Sequence, residues 1–297
     1  MARSNPRLTL VILCGGVLCG GWSAAFGADN GDDSHGFSFY ERFQGSVNSL
    51  GAVNELDSSV GYNFNSHLSI DGGLPVYFIR PSSSSTATTG ISSSNGIGNV
   101  YGQVRLTLAN PLVNFASTAT GTAPTGNKAN GFSTGHATYD WTNSFDRTFS
   151  RITPFGDIGI ANSVADTMFF VRPYTTYGFV THVEGGLRYR LARAVGVGGS
   201  LYAILPTGQQ TVISRLVKGQ QAGVPSGGSG SGHGVFQNNN TTTGTAGIAQ
   251  DRGLSAWVQV QPAPTLNLYA GYTHSTTFSL DTVFFGVGFN LGKAFRH

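Results

Sequence analysis

Charge is scarce in this chain: Asp, Glu, Lys and Arg make up 10% of 297 residues. A soluble globular domain carries about a quarter. Cysteine is nearly absent as well. The two that exist, Cys14 and Cys19, sit in the first 20 residues. Leu13 and Leu18 precede them where a lipoprotein cysteine needs a small residue, so lipidation is discounted. If that segment is removed, no thiol, disulfide or cysteine metal site remains. No stretch after it is apolar enough for a membrane helix. There is no basic stripe either, which argues against a nucleic-acid partner. Glycine is abundant instead, at 43 residues, about double its usual share. Such a composition fits a barrel with long polar loops, or a low-complexity secreted chain.

The start reads as an export signal. Arg3 and Arg7 supply the positive end, Leu8 to Trp22 the apolar stretch, and Ala25-Phe26-Gly27 small residues for cleavage before Ala28. The boundaries expected are a signal over 1–27, a short leader over 28–36 and one domain over 37–297. Removing the signal leaves a net charge near +1.

The remainder alternates with period two in about twelve segments, which a helix with its 3.6-residue repeat cannot do. In the first segment Phe37, Phe39, Phe43 and Val47 share one face, and Tyr40, Arg42, Gln44 and Ser46 the other. A later segment sets Phe179, Val183, Leu187, Tyr189 and Leu191 against His182, Glu184, Arg188 and Arg190. Segment five, near Leu112, is the least regular, and segment six is placed over Gly131 to Phe145. Alternation also suits a soluble sandwich with one buried face. Two features favour lipid: aromatics gather near the ends of the apolar faces, and the opposite faces carry charge in mid-strand. The reading is therefore an all-β, transmembrane antiparallel up-and-down β-barrel of about 12 strands, with ten or fourteen as alternatives.

Connection lengths set the orientation. Short turns such as Asn65-Ser66-His67 and Ala192-Arg193-Ala194 follow even-numbered strands, and long polar connections follow odd-numbered ones. Outer-membrane barrels keep short turns in the periplasm and long loops outside. The segment 206–252 holds a Gly-Ser run from Gly227 and the run Asn238 to Thr243. It is expected to be a long mobile extracellular loop, because it cannot bury a core.

The inward charges are the functional candidates. Arg42, Glu55, Asp57, Asp71, Tyr101, Arg105, Asp140, Asp157, His182, Glu184, Arg188 and Arg190 are expected to line the lumen. Charged rings in a pore create a field that sorts permeants; the same charges can instead pair across a narrow barrel and plug it. Inward Tyr40, Tyr77, Tyr101 and Tyr202 either form a stacking track or fill space. Enzymatic constellations are thin. His274-Ser275 point to opposite faces, and His67-Leu68-Ser69 sits at a turn. His136, His182 and Glu184 form at best an isolated luminal group. No cofactor, metal or catalytic residue is expected. The partners expected are the lipid bilayer, the outer-membrane insertion machinery and a small-molecule permeant.

Four segments carry a resemblance: Asn110-Pro111-Leu112-Val113-Asn114-Phe115, Gly131-Phe132-Ser133-Thr134-Gly135, Thr153-Pro154-Phe155-Gly156-Asp157-Ile158-Gly159 and Ala203-Ile204-Leu205-Pro206-Thr207-Gly208. In them the chain resembles bacterial outer-membrane β-barrel transporters of the meta-pathway phenol-degradation type. The likeness spans most of the exported chain but rests on turns and strand ends. It implies a bacterial outer-membrane location and passage of small, sometimes aromatic, molecules. It brings no catalytic residue. The chain departs from barrels of this class at its end, where Phe295 is followed by Arg296 and His297.

Overall fold

The computed structural model describes residues 35–49, 51–82, 93–164, 174–214 and 241–290. The expected signal and the end of the chain lie outside them. The strands are β1 Gly36–Asn48, β2 Gly51–Asn63, β3 Leu68–Pro81, β4 Ser94–Ile97, β5 Tyr101–Ala109, β6 Asn114–Thr122, β7 Thr138–Asp146, β8 Ile152–Ala161, β9 Tyr174–Tyr177, β10 Val180–Arg190, β11 Val195–Pro206, β12 Gln209–Ser214, β13 Thr241–Thr245, β14 Asp251–Ala263, β15 Leu266–Ser275 and β16 Leu280–Asn290.

Twelve of these close into one antiparallel barrel. Going round it, β1, β2, β3, β5, β6, β7, β8, β10, β11, β14, β15 and β16 each pair with the next, and β16 returns to β1 from Tyr40↔Asn290 to Asn48↔Thr282. Closure removes every free edge from the ring. The strands hold 9 to 14 residues, enough to cross a bilayer core when tilted.

Alternation is realised as inside and outside. Leu201 is 68% exposed, Leu187 57% and Val283 56%, all on the outer wall. Aromatics crowd the short-turn end of that wall, where Phe37 packs edge-on against Tyr62 and Tyr62 against Phe64. Tyr139, Phe179 and Tyr272 are exposed toward the other end. On the inner wall the rings lie over glycines of the neighbouring strand. Tyr269 faces Gly286, Trp257 faces Gly198, Phe155 faces Gly186 and Tyr101 faces Gly73. A methyl group at any of these glycines would overlap the ring.

Two boundaries differ from expectation. The sixth barrel strand starts at Thr138, because Gly131 (φ 77°) and Gly135 (φ 75°) turn the chain through left-handed backbone. The fifth runs on to Thr122, so the connection after it is 123–137. That connection folds inward: Phe132 packs with Val53, Ile79, Phe278 and Leu280 in an apolar cluster at the long-loop end of the lumen. The long connections also carry extra pairing. β4 hydrogen-bonds to the end of β3, and β9, β12 and β13 form a separate three-stranded sheet. Part of segment 206–252 is thus ordered as β12 and β13; residues 215–240 lie outside the described set.

The charged lumen as candidate functional site

All twelve side chains singled out from the sequence sit on the inner wall, and ten are at most 8% exposed. Only Arg188 and Arg190, toward the short-turn end of β10, are half-buried. Little luminal water therefore reaches the charges at mid-barrel.

One half of the wall is knit together. Arg42 Nη2 donates to Asp57 Oδ2 at 3.0 Å and lies 3.9 Å from Glu55. Tyr101 Oη donates to both Asp57 oxygens, at 3.2 and 3.1 Å. Gln44 Nε2 donates to Glu55 Oε2 at 2.7 Å, and Tyr269 Oη donates to Gln44 Oε1 at 2.9 Å. Gln103 Nε2 donates to Asp71 Oδ2 at 2.8 Å. Neighbouring strands supply this network because Arg42 and Gln44 stand directly opposite Asp57 and Glu55. Charge-assisted bonds of this kind are short and directional.

The other half is less satisfied. Asp157 and Glu184 are direct partners on β8 and β10, two carboxylates side by side. Ser144 stands opposite Asp157 and serves its carboxylate, whereas Glu184 Oε1, Arg105 Nε and Arg188 Nη1 have no hydrogen-bond partner among the described residues. Arg105 lies in the field of Asp71 and Asp157. His182 Nε2 is 2.8 Å from Asp140 Oδ2, and Thr142 Oγ1 donates to Asp140 Oδ1 at 2.5 Å. The Arg188 guanidinium stacks 4.1 Å from the centre of the Phe155 ring.

At the short-turn end the lumen opens into a vestibule of about 640 Å³, part of it open to solvent. Arg151, Arg188, Arg190 and Arg193 line it with Trp257, Gln259 and Gln261. Arg190 Nη2 donates to Ser150 O at 2.9 Å across its rim.

The inward tyrosines do not form a continuous track. Tyr101 and Tyr202 are bonded to Asp57 and Asp251, and Tyr77 stacks on Phe132. Phe155, Trp257, Tyr269 and Phe284 also face inward and were not among the sequence candidates; parity along β8, β14, β15 and β16 is the signal that finds them. The considered histidine sites are not assembled. His274 points outward to Asp281 at 2.7 Å while Ser275 turns inward to Asp251 at 2.5 Å. His67 Nδ1 lies 2.9 Å from Thr107 O. His136 is not on a strand; it stacks on Tyr177 in the long connections. Among the described residues no group of three or more metal-binding side chains is gathered.

The fold is similar to that of a solved outer-membrane channel. An outer-membrane channel from Pseudomonas putida F1 superposes with a TM-score of 0.56 at 10% identity, over 89% of this chain and 98% of that one. The NanC porin (TM-score 0.47) and the KdgM porin (TM-score 0.46) are each 9% identical and cover 84% of this chain and 98% of theirs. At such identities the likeness is one of fold. No protein-family model matches the chain, so the phenol-degradation resemblance gains no support there, and no curated protein matches it by sequence.

Proposed function

We propose that the protein is an outer-membrane channel that passes small hydrophilic or aromatic solutes through a lumen of mixed charge. It is exported by a cleaved signal, inserted by the outer-membrane machinery, and oriented with its short turns in the periplasm. The observation that carries this reading is inverted polarity. Leucine, valine and phenylalanine cover the outside, while arginine and carboxylates occupy the inside. Only a molecule surrounded by hydrocarbon gains from that arrangement, and charges of both signs fit a pore without strong ion preference. The fold shared with a channel of the same architecture agrees with it. No catalytic role is assigned, since neither Ser–His combination weighed above is brought together.

The Phe132 cluster lies at the long-loop end of the lumen and the Arg42–Asp57–Tyr101 network at its middle. In this reading the 123–137 connection swings out to let solute pass. Single-channel recording in planar bilayers tests the reading: discrete conductance that rises in Phe132→Ser supports it. A folded barrel that stays silent in both forms overturns it.

The same contacts favour a second reading, a plugged barrel that works through its extracellular loops. It expects no solute uptake by proteoliposomes across sugars, phenols and ions, and loss of surface binding when the loops are removed.

A further inference from the structure

We infer that the vestibule at the short-turn end is a binding site for a small organic carboxylate. This rests on the channel reading only in that the site then becomes the periplasmic station of the permeation path.

The vestibule is charged with one sign. Arg151, Arg188, Arg190 and Arg193 line it, and no Asp or Glu does. The chain as a whole is nearly balanced, so four cations around one cavity mark a local concentration of positive potential. Arg188 is held in place by stacking on Phe155, with Asp157 and Glu184 on its inner side. A fixed guanidinium at the cavity wall is preorganised for a planar two-oxygen acceptor, which a carboxylate supplies. Gln259 and Gln261 line the same space and offer amides to the rest of the ligand.

The depth of the site is set by charge. Going inward along β10, Glu184 follows Arg188 by four residues and stands beside Asp157. An anion entering from the short-turn end meets the arginines first and like charge next. Its strongest attraction therefore lies at Arg188, before the carboxylates.

Trp257 provides the test. It lies in the vestibule wall over Gly198. Outside the expected signal the only other tryptophan is Trp141, on the outer wall. In Trp141→Phe protein, refolded in detergent without its signal, Trp257 fluorescence is titrated with two pairs of probes: benzoate against benzyl alcohol, and gluconate against glucose. The expected result is a saturable change with one or both carboxylates and none with the neutral partners. Arg188→Gln should weaken that binding about tenfold or more. Arg147→Gln should not change it, because Arg147 stacks on Phe149 outside the vestibule. Equal responses to acid and neutral partner, no response to any probe, or binding unmoved in both Arg188→Gln and Arg190→Gln would overturn the proposal. A protein that binds benzoate or gluconate yet conducts nothing would sink the channel reading and leave this one standing; the reverse pattern would do the opposite.

Discussion

Arg42 and Asp57 face each other across β1 and β2 with Nη2 and Oδ2 3.0 Å apart, inside a barrel whose outer wall is apolar. Their side chains are 4% and 3% exposed, so neither is solvated if the other is removed. Asp57→Leu should cost about 3–5 kcal/mol, because it removes the carboxylate bonded to Arg42, while Glu55 lies farther off at 3.9 Å. Adding Arg42→Met should recover a measurable part of that loss, since the stranded charge is then gone. Guanidinium titrations of the refolded single and double variants measure both steps. A double variant less stable than Asp57→Leu would contradict this account.

Ring-on-glycine packing makes a second prediction. Gly286→Val puts a branched side chain where the Tyr269 ring lies, and overpacking of this kind costs about 1–3 kcal/mol. Tyr269→Ala in the same chain should relieve the clash. The two changes should therefore be coupled in a double-mutant cycle; simple additivity would mean that the ring has room to move aside.

The outer wall predicts a dependence on depth in the lipid. Leu201 lies mid-strand on β11 and is 68% exposed. Leu201→Arg should lose about 2–4 kcal/mol in phosphatidylcholine vesicles. Unchanged vesicle stability would place that face outside hydrocarbon.

The loop sheet predicts a tolerated deletion. β12 and β13 are antiparallel partners with Ile213 opposite Thr241. Replacing residues 214–240 by a two-residue Asn-Gly turn joins them without disturbing the pair. The unfolding free energy should stay within about 0.5 kcal/mol of the parent's in guanidinium titrations. Conductance should persist under the channel reading, and surface binding should vanish under the alternative one.

Much of the barrel was legible in the sequence because lipid and lumen impose opposite demands on successive residues. Phe43 between Arg42 and Gln44 announces both walls at once. Luminal aromatics were harder to read. Trp257 sits between Ala256 and Val258, and Phe284 between Val283 and Phe285, so each blends into an apolar run. What admits them to the interior is a glycine on another strand, and only register brings the two together. The short loop strands were hidden for a similar reason: Thr241–Thr245 has no apolar face of its own and is ordered by pairing with β12. The vestibule was half visible. Arg188 and Arg190 were expected in the lumen, whereas Arg151 and Arg193 join them only when two separate turns meet at one end of the cylinder.

The seating of rings on glycines has a consequence for assembly. Period-two alternation tolerates any even slip of one strand along its neighbour, since every residue keeps its face. The bulky-to-bare match does not. Moving β15 by two residues along β16 in one direction sets Tyr269 against Phe284 in place of Gly286. A mis-threaded hairpin is thus penalised by steric bulk before the cylinder can close, and the inner wall proofreads the order in which its staves are joined.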